Sequence, residues 1–209
     1  MEKDIYLIVD NAYGAPFPNI LFQPTKTVWN ERTVHAFSLS KLGLPATRTG
    51  IVVGPKEIIQ RLGAMNAVMA LASTSMGQAL TEPLFANDEV LRLSQEVIQP
   101  YYARCREHAQ DCLSRSIPDH IDYHVHEPEG AFFLWLWLRG LPIHARELYE
   151  RLKRRNVLVV PGHYFYPGYD EPWKHKEECL RISYVQKPEA VQRGIAILGE
   201  EVKRAYAAG

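Results

Sequence analysis

A continuous apolar run at residues 5–9 constrains the fold of this chain more than any other feature. Such a run is typical of a strand that is buried on both faces of a parallel sheet, as in α/β proteins. A strand of this kind needs neighbours on both edges, and few further strands can be predicted after it. We therefore expect an α/β fold in which this chain is the later part of a longer protein.

Two further strands and a helix are predicted in the first part of the chain. Residues 11–24 are rich in Pro, Gly and Asn and indicate a loop. Residues 33–37 and 51–54 are each predicted to form a short strand. Pro55 then suits the first turn of a helix that ends near Leu62.

A long helix is predicted in the middle of the chain, from Asp88 to about Arg115. Asn87 is a suitable N-cap, and the apolar residues that follow recur near helical spacing. Pro100 lies inside this helix and should kink it. A long bent helix between two sheet-bearing regions indicates a connection between domains.

The remainder of the chain indicates a small α+β unit. Its predicted elements are strands at 131–138, 157–160 and 179–185, with helices at 143–155 and 188–207. We therefore divide the chain into part of a large α/β domain at 1–86, a connecting helix at 87–116 and a small C-terminal domain at 117–209.

Composition argues against two classes of partner. Lys plus Arg number 24 and Asp plus Glu number 24, so the formal net charge is zero. Nucleic-acid-binding proteins usually carry a basic surplus, and we expect no nucleic-acid partner. The run at residues 5–9 is too short to span a bilayer, so we expect no membrane partner. Three cysteines without a Cys-x-x-Cys pair indicate reduced thiols and hence the cytoplasm.

The stretch Ser38-Leu39-Ser40-Lys41, with Arg48 shortly after it, carries the strongest chemical signal. A lone loop lysine is ordinarily a solvated surface residue. Here it follows a predicted strand, and the serines and the arginine can converge on a phosphate, for which arginine offers a planar fork. An amine that can form an imine beside a phosphate site predicts pyridoxal 5'-phosphate as cofactor.

Asp10 and Tyr13 follow the first predicted strand directly. Ligands bind at the carboxyl ends of strands in open α/β sheets. A carboxylate there can pair with a protonated pyridine nitrogen, and a phenol can hydrogen-bond the oxygen on the same ring. The alternative for Asp10 is an Asx turn before Ala12, with no role in binding.

Arg181 is the only charged residue in the apolar strand predicted at 179–185. A buried arginine without a partner is costly, and an amino-acid carboxylate is a natural bidentate partner. The alternative is a structural salt bridge. His120, His124 and His126 could suggest a metal. Only His124 and His126 would share one face of a strand, no convincing third and fourth ligands accompany them, and we expect no metal.

Four stretches occur in a fixed order along the chain. They are Asp10-Asn11-Ala12-Tyr13, Ser38-Leu39-Ser40-Lys41 with Arg48 and Gly50, Pro161-Gly162, and Leu180-Arg181-Ile182-Ser183. Together they resemble the class I/II aminotransferases. The resemblance implies part of the large domain of an aspartate aminotransferase-like, fold type I PLP-dependent transferase, followed by a C-terminal α+β small domain.

The resemblance also implies a role for each candidate residue. Lys41 would hold the cofactor and move the proton, Asp10 would pair with the ring nitrogen, and Tyr13 with the ring oxygen. The phosphate would be held by Ser38, Ser40 and Arg48, and the substrate α-carboxylate by Arg181. The implied reaction moves an amino group between an apolar amino acid, such as valine or alanine, and a 2-keto acid such as pyruvate, in a homodimer.

Other functions remain open at this point. A PLP-dependent lyase or synthase of the same fold would use the same residues, and a regulator or a non-catalytic fragment would keep the fold without the reaction. Complete family members are longer, and their extra length precedes the position of Met1. We therefore expect little transaminase activity from residues 1–209 alone.

Overall fold

The computed structural model describes residues 5–72 and 74–208 of the chain. These residues form two compact units, of which the first ends at Tyr101 and the second begins at Tyr102. Each unit is built around a β-sheet of its own, with three described strands in the first and four in the second. The division after residues 86 and 116 stays a prediction.

The sheet of the first unit brings two of the predicted motifs to one edge. β1 (Leu7–Asp10) runs parallel to β2 (Thr33–Ser38), and β3 (Gly50–Val53) runs antiparallel to β2. β2 is therefore the central strand, and its residues Val34 and His35 are buried. Because β1 and β2 are parallel, their carboxyl ends lie at the same edge of the sheet, where Asp10 and Ser38 end their strands.

The apolar run at residues 5–9 predicted a strand buried on both faces. The described strand at this place is exposed instead. β1 begins at Leu7 and lies at the edge of the described sheet, beside β2 alone. Ile8 is 73% exposed, and Ile5 and Tyr6 are exposed as well. Burial of this strand on both faces stays a prediction for the longer protein, because an apolar run specifies a side chain's preference for burial but not what covers it.

The helices of the first unit differ from the prediction at their ends. α1 (Lys56–Ala70) does not end near Leu62 but continues for two more turns, and none of its side chains is buried. α2 (Met76–Ala86) follows it. Asn87 is not the predicted N-cap of the next helix, because it ends α2 and its side-chain amide donates to the Pro83 carbonyl at 3.0 Å.

The long helix predicted from Asp88 is present but interrupted. It consists of α3 (Glu89–Leu93), a π-helical turn (Ser94–Ile98) and α4 (Gln99–Ser116). Pro100 lies in the first turn of α4, where its missing N–H is tolerated. The irregularity in the described helix is the π turn directly before α4, and the kink predicted at Pro100 stays a prediction.

The sheet of the second unit is antiparallel throughout, in the order β4-β5-β7-β6. Its strands are β4 (Tyr123–Val125), β5 (Phe133–Leu138), β6 (Val160–Pro161) and β7 (Cys179–Ser183). The strands predicted at 131–138 and 179–185 are confirmed as β5 and β7, each shorter than predicted. The strand predicted at 157–160 is reduced to β6, and β4 was not predicted.

The two faces of this second sheet have different roles. Leu134, Leu136 and Leu138 are fully buried and pack into the core of the unit. The alternate residues of β5, among them Phe133 and Trp135, lie on the opposite face because successive side chains of a strand point in opposite directions. This second face carries Arg181 and is called the aromatic face below.

Helices cover the core side of the sheet. They are α4, α5 (Ala145–Arg154) and α7 (Pro188–Ala207), while the short α6 (Lys174–Glu178) precedes β7. The helices predicted at 143–155 and 188–207 are thereby confirmed. Within residues 5–72 and 74–208, no helix combines the length and the apolar character that crossing a bilayer requires.

Candidate active site

Lys41 lies in a short turn that is held at both ends. β2 ends at Ser38, whose Oγ accepts the backbone N–H of Ser40 at 3.2 Å and caps the 3-10 turn Leu39–Leu42. Leu39 is almost fully buried, and Gly43 ends the turn with a positive φ of 105°, which glycine adopts without steric cost. The backbone that carries Lys41 is therefore fixed by a cap, a buried anchor and a glycine.

Tyr13 meets Lys41 at this end of the sheet. Lys41 Nζ lies 5.3 Å from the centroid of the Tyr13 ring, within the reach of a cation–π contact. One residue follows β1 and the other follows β2, and the parallel pairing of the two strands brings them together. The structure thus places the predicted lysine and the predicted phenol in one cluster.

Asp10 forms the Asx turn that the sequence analysis gives as the alternative to a binding role. Its Oδ1 accepts the backbone N–H of Ala12 at 2.9 Å, which is an Asx turn. Among the described residues, no donor contacts the second carboxylate oxygen, and the residue is exposed. The turn orients the carboxylate and leaves that oxygen available to a ligand.

Asn11 and His35 support this loop, and sequence reasoning missed both. Asn11 Nδ2 lies 2.6 Å from His35 Nδ1, and His35 Nε2 lies 2.8 Å from the Val28 carbonyl oxygen. Because the carbonyl can only accept, Nε2 carries the proton and Nδ1 accepts from Asn11. His35 is 1% exposed and stacks between Trp29 and Phe37, so the loop after Asp10 is tied to a rigid, buried side chain.

Arg48 faces the lysine turn from the next segment. Its Nη1 lies 3.5 Å from Ser40 Oγ, and its backbone has a φ of 49°, in the left-handed region that disfavours residues with a Cβ. Such strain, on the order of 1 kcal/mol, persists where the surroundings determine the conformation and is common at binding sites. Ser38, Ser40 and Arg48 therefore supply two hydroxyls and a guanidinium to one small region.

Gly77 of α2 lies against the same segment. A Cβ at Gly77 would overlap Thr49 Oγ1 and lie 3.1 Å from Thr47 Cβ, so the helix approaches the two residues that flank Arg48 as closely as a glycine allows. Thr47 is buried, and its hydroxyl donates to the Leu44 carbonyl at 2.8 Å. This packing explains how the strained backbone of Arg48 is held.

Arg181 belongs to the second unit, whereas the other six predicted site residues belong to the first. It is half-buried in β7 opposite Trp135 of β5. Its Cζ lies 4.2 Å from the centroid of the Phe133 ring and 4.8 Å from that of Phe165. No described acidic side chain forms an ion pair with it, so the predicted alternative of a structural salt bridge is wrong for the described residues.

Structural explanations cover three further side chains: Glu178, Cys179 and His124. The buried carboxylate of Glu178 accepts from Trp137 Nε1 at 2.8 Å and from the Gly140 N–H at 3.2 Å. Burial raises the pKa of the Cys179 thiol to about 12, so this thiol stays protonated and does not act as a nucleophile. His124 Nε2 contacts Asp122 at 3.0 Å, and the described residues contain no group of three side chains placed to hold a metal.

The donor set of the first unit fits pyridoxal phosphate. Lys41 offers the amine, Ser38, Ser40 and Arg48 offer hydrogen-bond donors for a phosphate dianion, and Asp10 offers a carboxylate to a pyridinium nitrogen. The phenol of Tyr13 is beside the lysine. The side chains that would suit the aldehyde, the ring nitrogen and the phosphate of the cofactor therefore follow or end β1 and β2, or lie just before β3.

Comparison with known proteins gives a consistent result. The family described as aminotransferase class I and II matches residues 1–198. The chain is 44% identical over 206 residues to the valine–pyruvate aminotransferase of Escherichia coli (strain K12), covering 99% of this chain and 49% of that protein. The crystal structure of valine-pyruvate aminotransferase from Salmonella typhimurium LT2 matches with a TM-score of 0.92 and 43% identity, covering 99% of this chain and 53% of that one.

A different class of protein matches at lower identity. An uncharacterized HTH-type transcriptional regulator of Bacillus subtilis (strain 168) is 28% identical over 208 residues, covering 97% of this chain and 39% of that protein. The chain thus spans half or less of the length of these curated relatives. The structural match confirms the predicted fold class, part of a fold type I large domain followed by an α+β small domain.

Proposed function

The chain belongs to the class I and II aminotransferases, and on that premise we propose that it carries the lysine-bearing part of a pyridoxal-phosphate-dependent aminotransferase. The observation that carries this proposal is the cluster of Lys41, Tyr13, Ser40 and Arg48 at one sheet edge. The proposed substrates are an apolar amino acid, valine or alanine, and a 2-keto acid such as pyruvate. The 44% identity to a protein named for valine and pyruvate supports this choice.

Six residues of the first unit would hold the cofactor. When bound, pyridoxal phosphate supplies an aldehyde that takes up the amino group and a ring that withdraws electrons. The phosphate would be held by Ser38, Ser40 and Arg48. Asp10 would keep the ring nitrogen protonated through its available oxygen, while Tyr13 would donate to the ring oxygen and Lys41 would anchor the cofactor covalently.

Lys41 would also move the proton that amino transfer requires. An amine acts as a base only when it is deprotonated, and a free lysine side chain is largely protonated at neutral pH. In this role Nζ would take the Cα proton of the amino acid, and the Tyr13 ring 5.3 Å away would limit the positions that the amine can reach. The capped turn at Ser38 would keep Nζ in place during both half-reactions.

Arg181 would bind the α-carboxylate shared by the amino acid and the keto acid. Its guanidinium has no acidic partner among the described residues and offers a bidentate fork. The resemblance further implies a homodimer, and the cytoplasm is the proposed location. Both are proposals for the whole protein, of which this chain corresponds to about half.

A chimera tests the proposed function directly. This chain would replace the matching half of the Escherichia coli relative, and alanine formed from valine and pyruvate would be measured. We expect turnover that is lost in Lys41→Ala, whereas residues 1–209 alone should show little or none. A chimera that folds and binds pyridoxal phosphate but forms no alanine from any apolar amino acid would contradict the proposal.

The same assay separates the two other candidates. A lyase would release ammonia without requiring pyruvate. A regulator, which the match to an HTH-type transcriptional regulator favours as second candidate, would bind the cofactor without turnover. Measuring ammonia, alanine and cofactor binding on one sample therefore assigns the chain to one of the three functions.

A further inference from the structure

Aromatic rings pack against the Arg181 guanidinium on the aromatic face of the second sheet. Two rings contact its guanidinium, with centroids 4.2 Å and 4.8 Å from Cζ. Phe133 is the first residue of β5, and Phe165 is the last residue of the 3-10 turn Gly162–Phe165. Side chains from two separate elements therefore meet on one cation.

These contacts leave the hydrogen-bonding capacity of the guanidinium unused. A cation–π contact engages the ring face and consumes no N–H donor. No described side chain or carbonyl accepts a hydrogen bond from the Arg181 guanidinium, and no described carboxylate forms an ion pair with it. The rings thus stabilise a half-buried cation while its five donors stay available for an anion.

The position of Phe165 is itself fixed by its neighbours. Its ring packs edge-on against Trp135, with centroids 5.1 Å apart, and Trp135 lies directly opposite Arg181 in the strand register. The turn begins at Gly162, where a Cβ would lie 2.7 Å from the Lys176 carbonyl oxygen. The turn therefore lies as close to the segment before β7 as a glycine allows, and Phe165 is held over the arginine.

We propose that Phe133 and Phe165 are positioning residues that hold the Arg181 guanidinium with its N–H donors directed to the substrate carboxylate. This rests on the proposed function, in which Arg181 binds that carboxylate. Neither ring needs to touch the reacting atoms. Their effect is to restrict the side chain before the substrate binds, so that less conformational freedom is lost on binding.

The test uses residues 1–209 labelled with ¹⁵N-arginine. The Arg181 Nε–H resonance is assigned by its loss in Arg181→Lys, and pyruvate is added at constant ionic strength. We expect a saturable shift in the wild-type chain. Phe165→Leu and Phe133→Leu should each weaken pyruvate affinity about tenfold, since leucine keeps apolar bulk but has no ring face. Phe165→Tyr, which keeps the ring, should restore it.

The controls separate positioning from general damage to the fold. Tyr164→Leu removes an exposed ring from the same turn without a described contact to Arg181 and should bind as the wild type does. Circular dichroism and Tm show whether each variant is folded. Phe165→Tyr still tests the role of the ring if Phe165→Leu destabilises the turn. Folded leucine variants with unchanged affinity would overturn the positioning role.

The outcomes also distinguish this inference from the proposed function. If pyruvate does not shift the Arg181 resonance of the wild-type chain, the carboxylate role of Arg181 fails and the positioning role fails with it. If pyruvate shifts the Arg181 resonance with the same affinity in the wild type and in both folded leucine variants, Arg181 retains its role and only the two rings lose theirs.

Discussion

Lys41 Nζ lies 5.3 Å from the centroid of the Tyr13 ring, so the segments that follow β1 and β2 meet at one place. The serine and arginine contacts on the same turn add hydroxyl and guanidinium donors to this place. An amine, a phenol, two hydroxyls and a guanidinium are thus supplied by fewer than fifty residues of the first unit, which makes their separate roles accessible to single substitutions.

Lys41 should be the residue that carries the cofactor. In the chimera, reduction with borohydride in the presence of pyridoxal phosphate should leave a pyridoxyl group on the peptide containing Lys41. Its amine lies on the same turn as the serine hydroxyls that are proposed to bind the phosphate. Peptide mass mapping locates the label. Lys56, on exposed α1, serves as the matched lysine, and a label there instead of on Lys41 would refute the assignment.

Arg181→Lys should raise the KM for the amino acid about tenfold or more while cofactor affinity stays close to that of the parent chimera. A charge-assisted bidentate pair is lost, since lysine is a point charge without the planar fork. Steady-state kinetics and a cofactor titration on the same sample check this. Equal losses in both quantities would point to a damaged fold rather than to a lost carboxylate contact.

Asn11→Ala should lower the free energy of unfolding of the first unit by about 1–3 kcal/mol, because it leaves the buried His35 Nδ1 without a donor. Hydrogen exchange of the backbone amides of β1 and β2, measured at increasing urea concentration, monitors this unit separately from the second unit. The exposed His126, replaced by alanine, is the control, and its unfolding curve should match the wild type. No change in Asn11→Ala would show that the loop is held without this bond.

Gly77→Ala should weaken cofactor binding and destabilise the first unit by about 1–3 kcal/mol, because the added methyl group overlaps Thr49 beside Arg48. Gly63→Ala is the matched control, since a Cβ added at Gly63 in α1 would meet open space. Alanine should be tolerated or stabilising there. Titration with pyridoxal phosphate and thermal unfolding of both variants measure the difference. Similar behaviour of the two would remove the assigned role of Gly77.

Cys179 should resist alkylation by iodoacetamide at pH 8, whereas the partly exposed Cys105 should react. Burial raises the pKa of the Cys179 thiol from 9.0 to about 12, so the folded chain binds this proton more tightly than the unfolded chain does. This contribution to stability is complete below about pH 9 and is lost as the pH rises towards 12. Peptide mapping after timed labelling, and Tm from pH 8 to 11, test both parts; fast labelling of the native chain would contradict them.

The motifs that could be read from the sequence are those in which neighbouring residues act together. Ser38, Ser40 and Lys41 lie on one turn, and Asp10 ends a strand, so local pattern was sufficient to predict where they stand. The Asn11–His35 bond joins the loop after β1 to β2 and depends on the register of the two strands, which the sequence does not state. Gly77 was missed for a related reason: a close approach between a helix and a distant turn leaves no periodic pattern in the sequence.

The exposed apolar side chains of β1 and α1 have a consequence for the behaviour of the chain in solution. The sequence pI is about 7.1 and the formal net charge is zero, so near neutral pH little electrostatic repulsion keeps two molecules apart. Contacts between apolar surfaces such as Ile8, Val68 and Met69 then go unopposed. Residues 1–209 should therefore have a solubility minimum close to pH 7, and buffers one to two pH units away should keep them dispersed at higher concentration.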